Sequence, residues 1–468
     1  MIYYVGCLRR GRKMANNTEI RQENKMGVMP VKKLIVTMSL PMMVSMLVQA
    51  LYNVVDSIFV AKISEDALTA VTLAFPMQNL MIALASGTGV GINSLLSRSL
   101  GEKKFDRSDA AANTGVLLTF INFVVFFLIG TFGARAFIAS QTTEAAIIED
   151  GAAYLGIVCT LSLGLFFQVT FERLLQSTGR TVFSMISQLT GAVINLIFDP
   201  IMIFGLLGCP EFGVAGAAYA TVLGQCVAAV VGLTLNLKYN HDIKLHISHI
   251  IKPKLDVIGE IYWVGVPSIL MMSIGSIMTY LMNQILIGFS TTAAAVFGVY
   301  FKLQSFFFMP IFGMNNGVIP VLAYNYGARN KERIKEALKF ALTLAITIMC
   351  VGTIVFELIP GVLLKLFSAS DDMLAIGIPA LRIIAVHFPI AAAAIVMGSI
   401  FQAFAKSIYS LFVSVGRQLV VLIPVAYLLS LTGNLNAVWF AFPIAEVVSL
   451  ILSLTFFRIV YRDTVGKM

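Results

Sequence analysis

Charged residues are scarce in this 468-residue sequence. They make up 12% of it, against about 25% in an average soluble domain. Hydrophobic residues make up 58%, and the mean hydropathy is +0.88. This composition argues against an ordinary soluble domain and predicts a polytopic membrane protein in which nearly the whole chain is membrane domain.

Cysteine and catalytic motifs are also sparse. No Cys-x-x-Cys pair occurs, so neither a disulfide framework nor a zinc site is predicted. The glycines between Gly87 and Gly91 lack the Gly-Lys-Ser/Thr of a phosphate loop, and neither an HExxH motif nor a Ser-His-Asp set is readable. We therefore predict that the chain is not an enzyme and has no cofactor. Any uphill transport must then draw on an ion gradient.

The amino-terminal stretch does not read as a cleavable signal peptide. A signal peptide carries positive charges before its apolar region. Here the apolar run MIYYVGCL is short, and the first charges come after it. We interpret residues 1–30 as a solvated cytoplasmic tail, with Met14 as an alternative start to Met1.

Twelve apolar runs are long enough to cross a bilayer, which takes about 20 residues each. They predict an all-α membrane protein with twelve transmembrane helices. The runs cover approximately residues 34–61, 67–98, 110–139, 146–175, 182–205, 213–237, 257–288, 293–324, 337–366, 373–404, 407–431 and 436–460.

The basic residues between these runs fix the expected orientation. If the amino-terminal tail is cytoplasmic, 26 of the 33 lysines and arginines fall in the tails and in the loops on its side, whereas the loops on the other side are mainly acidic. By the positive-inside rule, both termini are cytoplasmic and the protein lies in the cell membrane. The net charge of +9 then reflects the basic residues of the cytoplasmic loops and tails, and does not indicate a nucleic-acid partner.

The two halves of the sequence repeat at one constant offset, which is the distance along the chain from Pro41 to Pro267; we call it the repeat offset. Glutamines and glycines recur at this offset from span one to span five without a gap, as in Gln78 and Gln304, Gly87 and Gly313, Gly91 and Gly317, and Gly101 and Gly327. Six spans per half make both halves enter the membrane from the same side. We therefore predict a parallel pseudo-two-fold repeat with a central cavity, with lobes at 31–237 and 257–468 joined by a linker at 238–256.

That linker contains three histidines, at positions 241, 246 and 249. They could form a metal site, but the favoured interpretation is a polar connection between the two halves.

The most informative polar residues lie in span five, within GAVINLIFDPIMIFG at 191–205. Asn195 and Asp199 are four residues apart, so both side chains share one helix face. Pro200 removes a backbone donor beside them. A carboxylate near the bilayer centre costs about 2.5–3.5 kcal/mol, and such residues usually mark a functional site. The alternative is a structural hydrogen bond to a neighbouring helix.

Span one carries a matching polar stripe of Gln49, Asn53 and Asp56. At the repeat offset, Asp56, Asn195 and Asp199 correspond to Met282, Val421 and Val425, so the second half lacks these polar groups. We therefore predict an asymmetric cation site in the amino-terminal half, to which span six adds Thr221. Two close carboxylates cannot both stay charged in a dry site, so one must hold a proton or a cation. A structural polar cluster is the alternative.

The sequence singles out further residues inside the spans. No role is assigned to Glu172, Arg173, Lys302 or Glu446. Candidates for lining the cavity are Gln78, Gln304, Met309, Arg382, His387 and Arg417.

Taken together, the chain resembles the bacterial branch of the multidrug and toxic compound extrusion (MATE) family over about residues 30–460. The resemblance rests on LPMMVSMLVQALYNVVDSIFVAKI, ALTAVTLAFPMQNL, SLLSRSLGEKKFDRSDAA, LLQSTGRT and INLIFDPIMIFG. It implies two six-helix lobes in a V, and export of amphipathic, often cationic, compounds in exchange for Na⁺ or H⁺. It also implies a cation site at Asp56, Asn195, Asp199 and Thr221, with no metal beyond a Na⁺ there. We expect a monomer in the lipid bilayer.

Two other functions stay open. One is a lipid-linked oligosaccharide flippase of the same superfamily, which needs basic residues in the cavity for a pyrophosphate. This alternative gains if Arg173, Lys302, Arg382 and Arg417 cluster there beside no acid. The other, a membrane enzyme or scaffold, needs a reactive constellation that the sequence does not contain.

Overall fold

The computed structural model describes residues 23–246, 249–250, 253–367 and 369–468. Most of the predicted tail, with the alternative start at Met14, lies outside the described residues, as does Lys252 in the linker. Within the described part, ten helices are long and apolar enough to cross a membrane, and counting two bent helix pairs as one span each gives twelve. The predicted all-helical membrane architecture is confirmed.

We number the spans one to twelve and count each bent pair as one. A four-residue helix, Lys25–Val28, precedes span one. In order, the spans are Val31–Ala61, Glu65–Gly101, Phe105–Ala139, Ala145–Thr160 with Leu163–Ser177, Thr181–Phe204, Val214–Tyr239, Leu255–Ile287, Thr291–Gly327, Lys331–Leu358, Asp371–Ala385 with Phe388–Ala403, Ser407–Ser430 and Leu435–Lys467.

The repeat offset extends to the ends of the helices. It relates both ends of span two, Glu65–Gly101, to those of span eight, Thr291–Gly327. It also relates both ends of span five, Thr181–Phe204, to those of span eleven, Ser407–Ser430. Repeated sequence therefore produces repeated helix boundaries.

Local capping chemistry repeats as well. The hydroxyl of Ser64 accepts the first-turn amide of span two at 2.9 Å, and Ser290 does the same for span eight at 3.0 Å. Such caps satisfy amides that have no partner within the helix. Residues related by the repeat offset therefore begin helices at equivalent positions and cap them with the same residue type.

Three predicted spans are interrupted. Span four bends by 44° after Thr160, and span ten bends by 48° after Ala385. In span ten, Pro389 at the start of the second segment explains the break, because it lacks an amide hydrogen. Pro360 likewise ends span nine at Leu358 and begins a separate six-residue helix. Span four breaks at Leu161 and Ser162 with no proline, so no residue in the sequence signalled this break.

The two halves approach each other most closely where glycines replace side chains. We call the side of the bundle on which span one begins and span twelve ends the terminal side, and the opposite side the far side. In span eight, a Cβ at Gly313 would lie 2.5 Å from the carbonyl oxygen of Met42 in span one, and one at Gly317 would lie 2.7 Å from that of Met38. These four residues lie in the terminal half of their helices, so the halves close on this side.

The symmetry-related seam joins spans two and seven. A Cβ at Gly91 would overlap the carbonyl oxygen of Ile261. One residue before Ile261, Glu260 accepts a hydrogen bond from Arg98 at 2.9 Å and forms a second ion pair with Arg107. These contacts link the second and third spans of the first half to the seventh span of the other.

The short amino-terminal helix adds another link on the terminal side. The Asn24 amide donates to the carbonyl oxygen of Thr178 in the first half at 3.0 Å. Arg333, the counterpart of Arg107 at the repeat offset, donates to the carbonyl oxygens of Met26 at 3.0 Å and Met29 at 2.7 Å. The segment from Asn24 to Met29 therefore holds residues of both halves together.

We predict that Gly91→Ala lowers the thermal unfolding midpoint of the purified protein. The added methyl group meets backbone that cannot rotate away, and overpacking of this kind costs about 1–3 kcal/mol. The matched control is Gly259→Ala in span seven, where a Cβ meets no atom within 4 Å. Alanine there gains helix propensity, by up to about 1 kcal/mol. Equal midpoints for the two variants would contradict the close approach at Gly91.

Candidate cation site

The candidate site begins with the polar residues of span five. The side-chain nitrogen of Asn195 donates to the Asp199 carboxyl group at 3.2 Å and to the Thr221 hydroxyl group of span six at 3.3 Å. An amide nitrogen carries two hydrogens, so it can serve both acceptors at once. The expected i, i+4 arrangement thus becomes a three-residue network.

Glycines allow spans five and six to approach closely at this point. A Cβ at Gly224 would lie 2.6 Å from the carbonyl oxygen of Gly191 and 3.2 Å from the Cβ of Asn195. Without side chains between the helices, Thr221 comes within reach of Asn195. Small residues play this role in many membrane-helix interfaces.

Span one adds the second carboxyl group. Asp56 and Asp199 lie within hydrogen-bonding reach of each other, and Asp199 is fully buried. Ionised carboxylates only accept hydrogen bonds, so they repel each other at this separation unless a proton or a cation lies between them. The two groups were expected to be close, and the structure brings them together.

Three oxygen atoms at the site are buried and receive no hydrogen bond from any described residue. They are Oδ1 of Asp56, Oδ2 of Asp199 and Oδ1 of Asn195. Unpaired buried acceptors are costly and normally find a donor or an ion. Carboxylate and amide oxygens are the ligands that hard cations prefer, so these residues fit a Na⁺ as well as a shared proton.

Two tyrosines that the sequence analysis did not assign to the site lie near it. Tyr52 and Tyr154 both lie within electrostatic range of Asp56 and Asp199. Tyr154 accepts a hydrogen bond from Gln78 at 3.1 Å. The sequence signal for Tyr52 was its position one helical turn before Asp56, although a tyrosine there is equally compatible with packing.

The polar stripe of span one divides into bonded and unbonded residues. Gln49 accepts a hydrogen bond from Gln188 of span five at 2.9 Å. Gln188 lies two helical turns before Asn195, so both occupy one face of span five. Asn53 is exposed, and its side chain bonds to none of the described residues.

The predicted cavity residues of the second half do not join this site. His387 lies at the break of span ten, buried against the ring of Phe442, and its Nδ1 lies 2.5 Å from the carbonyl oxygen of Ile384. Gln304 and Met309 are partly exposed on span eight. No hydrogen bond between described residues joins any of them to Asp56 or Asp199.

Two of the four intramembrane basic residues contact an acid. Arg417 forms an ion pair with Glu446 at 3.1 Å, and Arg382 contacts Glu357 at 4.0 Å. Arg173 adjoins Glu172 in sequence and donates to Asn316 across the two halves at 2.8 Å. Two of the residues that the flippase alternative requires are therefore paired with acids, whereas Arg173 and Lys302 are not.

In the described part of the linker, two of the three histidines lie close together. His246 and His249 have ring centroids 5.5 Å apart. Among the described residues, no three His, Cys, Asp or Glu side chains gather closely enough to hold a metal ion.

We predict that Asn195→Ala destabilises the protein, because it removes the amide donor of the buried Asp199 carboxyl group. Loss of a hydrogen bond to a buried charged group costs about 1.5–3 kcal/mol. Asn53→Ala is the matched control, since it removes an unbonded, exposed amide near the same site. Thermal unfolding of both purified variants measures the difference, and an unchanged midpoint for Asn195→Ala would show that its hydrogen bonds do not support the site.

Comparison with known proteins identifies the family of this chain. The MatE family profile matches the chain twice, over residues 41–201 and 267–428. The two matches start at Pro41 and Pro267, the pair that defines the repeat offset. Similar curated proteins include multidrug export protein MepA of Staphylococcus haemolyticus, which is 25% identical over 419 residues, 89% of this chain and 91% of that protein. The probable multidrug resistance protein YoeA of Bacillus subtilis is 24% identical, and the alignment covers 90% of this chain and 92% of that protein.

Solved structures with the same fold include an outward-facing conformation of a multidrug resistance MATE family transporter of the MOP superfamily. It has a TM-score of 0.90 and 27% sequence identity, and the alignment covers 96% of this chain and 99% of that one. A MOP superfamily transporter from Pyrococcus furiosus, for which a reversed polarity of the binding pocket suggests a different function, has a TM-score of 0.88 at 26% identity, with 96% and 99% covered. Because the two profile matches span more than half of the sequence, the chain belongs to the MatE family of multidrug efflux transporters.

Proposed function

We propose that this chain is a cation-coupled antiporter that exports amphipathic, often cationic, compounds across the cell membrane in exchange for Na⁺ or H⁺. The observation that carries the proposal is the pair of carboxyl groups, Asp56 and Asp199, which share one buried site with unpaired oxygen atoms. A membrane protein gains nothing in packing from such a pair. Its uptake and release of one cation would supply the coupling step.

The relatives support the transported class. The curated proteins similar to this chain are named as multidrug export or resistance proteins. The basic tails and loops on the terminal side support a cytoplasmic location for both termini. Export then proceeds from the terminal side to the far side.

The expected cycle is alternating access between the lobes at 31–237 and 257–468. The glycine seams and the Glu260 ion pairs close the terminal side, which supports assigning the described conformation to the step in which drug leaves and the ion enters. The ion and the drug must bias the same two-state equilibrium in opposite directions.

Span five is our choice for the element that responds to the ion. Pro200 follows Asp199 directly and lacks the amide hydrogen that would otherwise hold this turn. Proline is the commonest place for a helix to change its bend. Cation loading neutralises the carboxyl pair and favours one bend, whereas release favours the other.

We predict that Asp199→Asn abolishes gradient-driven export while the protein still inserts and folds. Removing one of two like charges relieves a desolvation cost, so stability holds or rises. Ethidium efflux from cells expressing each variant at equal levels measures the effect. Val425→Ala, at the matching position of the other half, should cost little transport.

The identity of the coupling ion is read from the same assay in proteoliposomes. A Na⁺ gradient or a pH gradient is imposed separately, and the one that drives ethidium movement in the unmutated protein identifies the ion. Export by Asp199→Asn at the unmutated rate under either gradient would locate the coupling site elsewhere.

A further inference from the structure

One charged side chain inside the membrane has no partner among the described residues. Lys302 lies on span eight, about 16 Å along the helix from its start at Thr291. Span eight has 37 residues and is about 55 Å long, so a hydrocarbon core about 30 Å thick centred on it begins about 13 Å from Thr291, and Lys302 lies just inside its far-side boundary. The side chain is exposed and has no hydrogen bond or ion pair with any described residue.

This isolation separates Lys302 from the other intramembrane cations. Arg382 and Arg417 contact Glu357 and Glu446, and Arg173 is buried with two amide partners. A lysine at this level keeps its ammonium group in water, either at the membrane surface or in a water-filled space inside the protein. Lys302 therefore needs either water or an anion from outside the chain.

The helix geometry shows which way Lys302 points. Gly313 follows it by close to three full helical turns, so the two residues occupy nearly the same face. At Gly313 that face meets the backbone of Met42 and Met43 in the other half. Lys302 is on the far side of this contact, so it points toward the other half where the glycine seam has ended.

The space beside Lys302 is open. Gly298, one turn earlier on the same face, has no atom within 4 Å of a Cβ built on it. Met309, two turns later, is partly exposed and brings a flexible, polarisable side chain to the same surface. This face of span eight thus offers an adaptable apolar surface with one free positive charge.

We propose that Lys302 is a specificity-determining residue that binds an anionic group of the transported compound, so that the cleft takes amphipathic compounds carrying a carboxylate, zwitterions included. The inference rests on the proposed export function. An ammonium group attracts a carboxylate, and the attraction grows where water is partly excluded. The acidic pair in the other half is committed to the coupling ion and does not neutralise Lys302.

The test uses two probes that differ only in the anion. One is a fluorescent quinolone that carries both an amine and a carboxylate, and the other is its methyl ester, which keeps the amine and loses the negative charge. Transport of each is measured in proteoliposomes for the unmutated protein, Lys302→Gln and Lys302→Arg. Lys365→Gln, a lysine at the far end of the second half, is the matched control.

We expect Lys302→Gln to raise the KM of the acid about five-fold, the upper range for a partly exposed ion pair. The KM of the ester should not rise. Lys302→Arg should keep the acid near its unmutated KM, which excludes misfolding as the cause, and Lys365→Gln should change neither probe. Equal changes for acid and ester, or no change for the acid, would overturn the proposal.

Equilibrium binding keeps this inference separate from the transport proposal. If no gradient drives either probe, the proposed antiport fails, but fluorescence polarisation with the detergent-purified protein still compares the Kd of acid and ester. A preference for the acid that disappears in Lys302→Gln supports the role of Lys302. If Lys302→Gln instead weakens only binding of anionic phospholipid, with the acid-to-ester ratio unchanged, Lys302 is a lipid contact and the proposal is wrong.

Discussion

Two carboxyl groups that share one buried site set the strongest constraint on the amino-terminal half. An isolated ion inside a protein costs several kcal/mol, so the pair persists only where protein groups and a proton or cation offset that cost. Asn195 supplies an amide that bonds to Asp199, and Gly224 lets span six approach closely enough for Thr221 to join. The packing of spans five and six is thus inseparable from the chemistry of the site.

The second half follows the same scaffold with different chemistry. Valines at 421 and 425 replace the polar pair of span five, and the buried acid of this half, Glu446, carries its own counter-charge in Arg417. An ion pair of this kind is already neutral and does not need an ion from solution. The repeat therefore determines the architecture of both halves. The residues that differ between the halves place the candidate cation site in the amino-terminal half only.

The sequence predicted the features that have few alternative explanations. Apolar runs of this length indicate membrane spans, and an aspartate such as Asp199 inside one usually indicates a functional site. It did not predict Tyr52, Tyr154 or Gln188 at the site, because such residues also occur in ordinary packing. Pairs such as Arg417 with Glu446 depend on how two spans rotate against each other, which helical periodicity within one span does not specify. The break in span four lacks the proline that marks the break in span ten.

The segment from Asn24 to Met29 implies an order of assembly. It leaves the ribosome before span one, yet Asn325 and Arg333, which hold its carbonyl oxygens, lie at the end of span eight and the start of span nine and are made much later. At synthesis rates of about 5–20 residues per second, it waits roughly 15–60 seconds for these partners. Its docking on the second half can occur only after span eight has entered the bilayer, so this short helix becomes a late checkpoint in the biogenesis of the transporter.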